Sequence, residues 1–460
     1  MKFDVREWIA VVLILVVVLG GGVLVLARRG SGPEEVRATL DLAGAMGGTD
    51  TAGYARALTP RPFVFPADHG PHPGFRTEWW YVTTNLEDET GRRFGVQFTL
   101  FRSALAPEPA GAGDAGRDTV GPTGSTTSPG PTGSTGSTPP TGPTERTSAW
   151  ATRQVHMGHL AVTDVEGGAF HEAERFSRVA RGLAGGTADP LRIWLDGWSL
   201  TGGGERSPVD PAAGPVFPLR VQAREGDVAV DLALTPAKPH VLQGDRGLSQ
   251  KGPEPGNASF YYSFTRLEAR GTVEVDGRTH DVTGLAWLDR EWSTSALSAG
   301  QEGWDWFALH LSDGRDLMVY RLRGPGDTTD PLSEGIVVAA DGAARRLARD
   351  DFRVTPTGEW ASPLDGTVYP SGWEVEVPSE GLALRVTPVR RDQELNVTVR
   401  YWEGAVDVTE LAGDGAAGRG GGASREETDR SPGPISGRGY VELTGYASPV
   451  EGRTPGAGAR

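Results

Sequence analysis

Apolar and polar residues alternate along two stretches of the chain that share one spacing. The first runs from Thr77 to Leu86 and continues from Phe94 to Arg102. The second runs from Gly303 to Leu311 and continues from Leu317 to Arg323. In each, an aromatic run leads into an Asp-containing turn and returns through alternating apolar residues, which is the pattern of a β-hairpin. Because the hairpin occurs twice, the pattern predicts two similar β-domains in tandem.

Strand alternation also assigns the side chains of each hairpin to two faces. We expect one face of each strand to be apolar core, and the other to plug the contact between the domains or to line a ligand pocket. In the first strand the core face carries Glu78, Trp80, Val82, Thr84 and Leu86, opposite Trp79, Tyr81, Thr83 and Asn85. In the second strand it carries Asp305, Phe307, Leu309 and Leu311, opposite Trp304, Trp306, Ala308 and His310.

Further strand-like segments recur from residue 157 to 288 and from 335 to 445, and helix signals are sparse after residue 60. The pattern therefore predicts an all-β, antiparallel protein. Two segments rich in Gly, Ser, Thr and Pro interrupt it and are expected to be disordered, because they hold too few apolar residues to offset the entropy of ordering. The predicted divisions are a spacer at 31–58, a first domain at 59–268 with an insert at 107–147, a second domain at 269–450 with an insert at 412–434, and a tail at 451–460.

An almost unbroken apolar run covers Ile9 to Ala27. It is close to the roughly 20 residues that a helix needs to cross a bilayer. A cleaved signal peptide is the alternative, but the residues before Arg28 make a poor cleavage site. The sequence therefore favours a single-pass membrane anchor at 1–30 in the cell membrane, with the body of the protein outside the cytoplasm.

Composition narrows the function classes. The chain has 460 residues and a formal net charge of -15, which argues against a nucleic-acid partner. It has no cysteine, so disulfides and thiolate metal sites are excluded. The histidines near residues 69–72 and 156–159 do not follow a zinc spacing, and no cofactor or metal is expected.

Several motifs, in their order along the chain, resemble the carotenoid 1,2-hydratase (hydroxyneurosporene synthase) and AttH-like family. They are Glu78-Trp79-Trp80-Tyr81, Trp287-Leu288-Asp289-Arg290-Glu291-Trp292, Trp304-Asp305-Trp306, Tyr401-Trp402-Glu403-Gly404 and the segment from Gly439 to Tyr446. The resemblance implies two lipocalin-like barrels that hold an apolar ligand in an aromatic cavity. It also implies either hydratase or cyclase chemistry, or an association with an ABC-type permease.

The chain departs from the hydratase pattern at two positions. Where the hydratases are thought to carry a His and an Asp, the matching residues are Arg290 and Leu322, whereas Trp292 and Tyr320 are retained. Arg cannot release its proton at working pH, so an acid would have to come from Glu78, Asp289 or Glu291. A cluster of salt bridges among these charged residues is the competing interpretation.

The candidate catalytic residues are therefore Glu78, Asp289, Glu291 and Tyr320, and the candidate ligand-binding residues are Trp79, Tyr81, Trp292, Trp304, Trp306 and His310. Three functions remain open. The first is binding of a lipophilic small molecule beside an export system, which we favour from the sequence. The second is an acid-catalysed hydratase or cyclase acting on an isoprenoid or polyketide-like substrate. The third is a structural module that contacts a permease and has filled barrels without a cavity of ligand size, roughly 300 Å³ or more.

Overall fold

The computed structural model describes residues 51–107, 153–295, 297–298, 300–411 and 434–447. The predicted anchor, the tail, most of the spacer and nearly all of the two inserts lie outside these ranges. None of the helical turns within them has the length or apolar character needed to cross a bilayer. These turns are short 3₁₀ helices at Ala67–His69, Ala180–Gly182, Pro211–Ala213, Pro325–Asp327, Arg349–Asp351 and Pro378–Glu380.

Within the described ranges, the first antiparallel sheet has 13 strands in the order β4-β3-β2-β1-β13-β12-β9-β8-β7-β6-β5, with β10 and β11 also paired to β12. The strands are β1 (Thr77–Asp88), β2 (Arg93–Ala104), β3 (Gln154–Asp164), β4 (Ala169–Arg178), β5 (Ala184–Ala188), β6 (Leu191–Leu195), β7 (Trp198–Arg206), β8 (Pro215–Glu225), β9 (Val228–Pro236), β10 (Val241–Leu242), β11 (Leu248–Gln250), β12 (Ala258–Val275) and β13 (Arg278–Ser293).

The second sheet, counted over the same ranges, has 11 strands in the order β18-β17-β15-β14-β26-β25-β23-β22-β19, with β16 paired to β15 and β24 to β25. A separate two-stranded sheet joins β20 to β21. The strands are β14 (Gly303–Leu311), β15 (Asp316–Gly324), β16 (Thr328–Thr329), β17 (Glu334–Val338), β18 (Ala344–Leu347), β19 (Arg353–Pro356), β20 (Glu359–Ala361), β21 (Val368–Pro370), β22 (Trp373–Val377), β23 (Leu382–Pro388), β24 (Glu394–Leu395), β25 (Tyr401–Glu410) and β26 (Ser436–Leu443).

The all-β, antiparallel class predicted from the sequence is confirmed, and so are the two aromatic hairpins. Strands β1 and β2 pair directly, and β14 pairs with β15. Strands β12 and β13 both belong to the first sheet, although the sequence places its domain boundary at 268/269, inside β12. The change of sheet falls between Ser293 and Gly303.

Each sheet encloses its own apolar core, and the two faces of the hairpin strands divide as the alternation predicts. Trp80 and Val82 of β1 pack in the first core, and Phe307 and Leu309 of β14 pack in the second. The opposite faces, with Tyr81 and Trp306, meet in a third apolar cluster between the sheets. The strands of each hairpin therefore serve both the interior of a curved sheet, here called a barrel although neither sheet is closed by strand pairing among the described residues, and the contact between the two sheets.

A buried carboxylate joins the two sheets at this contact. Asp316 at the start of β15 is fully buried. It accepts hydrogen bonds from Lys238 Nζ at 2.7 Å and from Arg266 Nη2 at 2.6 Å, and both cations belong to the first sheet's side of the contact. Lys238 also donates to the Gly314 carbonyl at 2.6 Å, which ties the β14–β15 turn to the same point.

Replacing Asp316 with Asn is expected to lower the free energy of unfolding by about 3–5 kcal/mol, because it leaves two buried or half-buried cations without their charge partner. Asp313→Asn is the matched control in the same turn. Its ion pair with Arg315 is partly exposed, and the loss there should be about 1 kcal/mol or less. Urea unfolding of the three proteins measures both, and equal losses would contradict the role assigned to Asp316.

Candidate active site between the two sheets

A cavity of about 110 Å³ lies where the outer face of the first sheet meets the second sheet. Trp79, Leu297 and Trp304 in its wall are partly exposed, so the cavity communicates with solvent. It is lined by Thr77, Trp79, Tyr81, Thr99, Phe101, Lys251, Tyr261, Asp289, Glu291, Ser293, Ser295, Leu297, Trp304, Trp306, Tyr320, Leu322, Tyr401, Glu403 and Glu442.

Asp289 is the best candidate for an acid in this cavity. Its side chain is buried and accepts hydrogen bonds from Tyr261 Oη at 2.5 Å, Ser263 Oγ at 2.5 Å and Trp287 Nε1 at 2.6 Å. Within the described ranges it has no cationic partner. Burial raises the pKa of Asp289 from its ordinary value of 3.8 to about 7, although the three hydrogen bonds oppose the shift, and nearby Glu291 adds to it. A carboxyl group with this pKa exchanges its proton near neutral pH.

Glu291 lies two residues further along β13, on the same face. Its Oε1 is 3.4 Å from Lys251 Nζ, so this carboxylate has the cationic partner that Asp289 lacks. Lys251 Nζ also lies 4.2 Å from the centre of the Tyr320 ring. The Tyr320 hydroxyl donates to Glu334 Oε1 at 2.9 Å, so this tyrosine presents its ring to the cavity while its proton is engaged elsewhere.

Glu403 and Glu442 form the opposite wall. They are direct cross-strand neighbours on β25 and β26. Tyr81 Oη donates to Glu403 Oε1 at 2.5 Å, and this bond links the first sheet to the second. Burial and the neighbouring Glu442 raise the pKa of Glu403 well above its ordinary value. Burial also raises the pKa of Glu442, to about 8.

Four of the predicted ligand-binding aromatics line the cavity: Trp79, Tyr81, Trp304 and Trp306. Tyr81 and Trp306 come from the two different hairpins, and their ring centres lie 5.1 Å apart at an angle of 75°. This edge-to-face contact is a favourable arrangement for aromatic pairs. The aromatic wall is therefore assembled from both copies of the repeated hairpin.

Glu78, in contrast, does not reach the cavity. It points into the first barrel and is paired with both Arg102 and Arg290, and it accepts two hydrogen bonds from the His72 backbone N–H at 3.0 Å each. Burial alone would raise the pKa of Glu78, but the two arginines hold it well below its ordinary value. The salt-bridge interpretation therefore describes Glu78 and Arg290, and a permanently ionised carboxylate is no proton donor.

Two predicted ligand-binding residues also lie outside the cavity. Trp292 faces the first barrel, where its ring stacks on His72 with centres 3.8 Å apart. Its position follows from strand alternation, because Asp289 and Glu291 occupy the other face of β13. His310 is buried near Asp316 at the contact between the two sheets. Its Nε2 donates to the Thr265 carbonyl at 2.7 Å.

Sequence reasoning missed several residues of the site. Glu403, Glu442, Lys251, Tyr261 and Tyr401 line the cavity and are not among the candidate residues predicted from the sequence. A signal for the two glutamates exists in the pattern: each alternates with core residues, Trp402 in β25 and Leu443 in β26. A charged residue on the non-core face of such a strand, two positions from a tyrosine on the same face, indicates a polar surface that another part of the protein buries.

Comparison with known proteins identifies the relatives of this arrangement. The AttH-like family model matches residues 56–119 and 135–446. The crystal structure of a protein assigned as AttH from Nitrosomonas europaea is 30% identical and superposes with a TM-score of 0.63, and the match covers 85% of this chain and 100% of that one. The family resemblance predicted from the motifs is confirmed.

Kievitone hydratase of Fusarium solani subsp. phaseoli is 24% identical over 189 residues, which are 38% of this chain and 49% of that protein. The match thus spans about half the length of this curated relative. The crystal structure of kievitone hydratase from Nectria haematococca is 13% identical with a TM-score of 0.55, covering 85% of this chain and 96% of that one. At this identity the likeness shows a shared fold.

The raised pKa of Asp289 has a measurable effect on stability. Between pH 4 and 7 the folded protein holds a proton on Asp289 that the unfolded chain releases, so the free energy of unfolding falls as pH rises. The slope from this one group is at most about 1.4 kcal/mol per pH unit. Asp289→Asn should remove this contribution, and Asp281→Asn, exposed on the same strand, should not. Parallel curves for wild type and Asp289→Asn in urea unfolding at several pH values would show that Asp289 is ionised in the folded state.

Proposed function

Because the chain belongs to the AttH-like family, we propose that it is a hydratase that adds water to an alkene of a lipophilic substrate in the cavity between its two sheets. The observation that carries the proposal is the state of Asp289. It is a buried carboxyl group that faces an aromatic cavity without a cationic partner, and its pKa is raised to about 7. The relatives include kievitone hydratases, which supports a hydration over the other reactions that such a cavity could host.

In the proposed reaction, Asp289 transfers its proton to one alkene carbon and leaves a positive charge on the other. The faces of Trp79, Trp304 and Trp306 stabilise that charge through their ring quadrupoles. A water molecule then adds to the cationic carbon and gives up a proton to Glu291. Asp289 and Glu291 are about 7 Å apart along the strand, which leaves room for the reacting carbons and the water. Proton return from Glu291 to Asp289 through solvent completes the cycle.

Two carboxyl groups in different surroundings suit these two roles. Asp289 is buried without a cation, which favours its protonated form although its three neutral hydrogen-bond donors oppose this, whereas Glu291 has the Lys251 ammonium beside it. Arg290, at the position where the resembling hydratases carry a His, points away into the first barrel. Leu322, at the position of their Asp, adds only an apolar surface to the cavity.

The size of the cavity restricts what enters it. Its 110 Å³ is below the roughly 300 Å³ of common ligand pockets. The proposal therefore places one alkenyl end of the substrate in the cavity, with the rest of the molecule extending through the opening near Leu297. Isoprenoid chains and prenylated ring systems have this shape.

The test is incubation of the full chain with kievitone and a panel of isoprenoid and polyketide alkenes in ¹⁸O-labelled water, with products analysed by mass spectrometry. We expect one substrate class to gain one labelled water, and turnover to fall as pH rises above about 7, because Asp289 loses its proton there. Asp289→Asn should reduce turnover roughly 10²–10⁴-fold. Asp281→Asn is the control on the same strand, and should leave turnover unchanged.

Unchanged turnover in Asp289→Asn would remove this residue from the mechanism. If no alkene in the panel is hydrated, the second candidate function gains weight, which is binding of a lipophilic molecule without chemistry. The aromatic lining favours that function as well. A lipid-extract pull-down analysed by mass spectrometry tests it, and a protein that gains nothing apolar would count against both. A module that only contacts a permease would have no need of unpaired carboxyl groups in a cavity.

The cellular placement is a proposal that rests on the sequence. The apolar run from Ile9 to Ala27 would anchor the protein in the cell membrane, with the cavity-bearing body outside the cytoplasm and an ABC-type permease as its partner. Fractionation checks the anchor. The full chain should sediment with membranes, and deletion of residues 1–30 should release it.

A further inference from the structure

The wall of the cavity that the second sheet supplies has an unsatisfied acceptor. Glu403 is 1% exposed, and among the described residues no donor forms a hydrogen bond with its Oε2. Its cross-strand neighbour Glu442 also lines the cavity. Side chains in such register lie about 5 Å apart at their Cβ atoms, so both carboxyl groups reach the same space. A buried acceptor without a donor is costly, and a ligand group would relieve that cost.

The titratable groups around this pair are themselves acids. Tyr81 faces it from β1, Tyr401 from β25 and Tyr440 from β26, while Asp289 and Glu291 face it from β13. Within the described ranges, no Lys, Arg or His forms an ion pair with either glutamate. Burial therefore raises the pKa of both, with Glu442 adding to the shift of Glu403, and Asp289 and Glu291 adding to that of Glu442. The pair holds protons at neutral pH when nothing positive is near.

The other end of the same cavity shows how this protein holds a positive charge. The Lys251 ammonium lies 4.2 Å from the centre of the Tyr320 ring, 5.4 Å from that of Tyr261 and 3.4 Å from Glu291 Oε1. A ring face and a carboxylate together are the combination by which proteins recognise ammonium groups. The Glu403 end has both components, since Tyr81, Tyr401 and Trp304 stand beside the two carboxyl groups, but the described part of the chain supplies no cation there.

We propose that the Glu403–Glu442 end of the cavity is a subsite for a positively charged group, namely a tertiary or quaternary ammonium carried on an apolar ligand. The inference rests on the proposed function in one respect, because it concerns the same cavity. It names a broader ligand class, however, and its test needs no turnover. A metal ion fits less well, because no group of three potential ligand side chains in the described part of the chain is arranged to hold one.

The test is isothermal titration calorimetry of the full chain with hexyltrimethylammonium, and with octanol as a neutral ligand of similar length. Because the ammonium requires an ionised carboxylate, its binding should release a proton near neutral pH. Its affinity should rise about tenfold per pH unit up to about pH 8 and then level off. Comparison of two buffers with different ionisation enthalpies measures the released proton. Octanol should bind with no such pH dependence.

Variants locate the subsite. Glu403→Gln and Glu442→Gln should each abolish the proton release. Each should also reduce the ratio of ammonium affinity to octanol affinity at least tenfold. Glu410→Gln, exposed at the far end of β25, is the matched control and should behave as wild type. Thermal melting verifies folding; should either site variant fail to fold, the pH dependence of the wild type still decides.

Equal affinity of the wild type for both probes, or ammonium binding that does not change with pH, would overturn the inference. So would folded Glu403→Gln and Glu442→Gln proteins that bind ammonium as tightly as wild type. The outcome is separable from that of the hydration assay. Asp289→Asn should lose turnover and still bind hexyltrimethylammonium, and a protein that binds the ammonium but hydrates no alkene would contradict only the proposed reaction.

Discussion

The two-residue repeat of a β-strand is the constraint on which the architecture of this protein depends. In β1 and β13, one set of alternate residues fills the first barrel and the other set faces the second sheet. Neither strand can shift by one residue without exchanging these sets, which would bring Arg290 into the cavity and Asp289 into the apolar core. The pairing of β1 with both β2 and β13 over most of its length therefore fixes the register on which the candidate site depends.

The same alternation separates two kinds of buried charge. Inside the first barrel, Glu78 is neutralised by Arg102 and Arg290, so its ionised form is stable and inert. On the cavity side, Asp289 of β13 and Glu403 of β25 in the second sheet are buried without a cation, and their pKa values rise instead. Burial is similar in the two places. The presence or absence of an arginine decides whether a carboxyl group supports the fold or remains available for chemistry.

This distinction marks what the sequence could predict. Period-two alternation was sufficient to assign Trp79, Tyr81, Trp304 and Trp306 to one surface, and Asp289 with Glu291 to the same face of their strand, because these are local properties. Glu78 shares a motif with Trp79 and looks equally functional in the sequence, but its arginine partners come from β2 and β13. Only the sheet order brings them together. Glu403 and Glu442 were not predicted for the same reason. Their strands form one wall of the cavity, and the other wall, on β1 and β13, is distant in the sequence.

The cavity has one wall from each sheet, and this division has an evolutionary consequence. The candidate acid belongs to β13 of the first sheet, whereas the subsite inferred for positive charge belongs to β25 and β26 of the second. Substitutions in the second sheet can therefore alter which molecule is recognised while the acid and its three hydrogen-bond donors stay intact. A fold of this kind can diversify its ligands by changing one half at a time, with Asp316 and its two cations keeping the halves in contact.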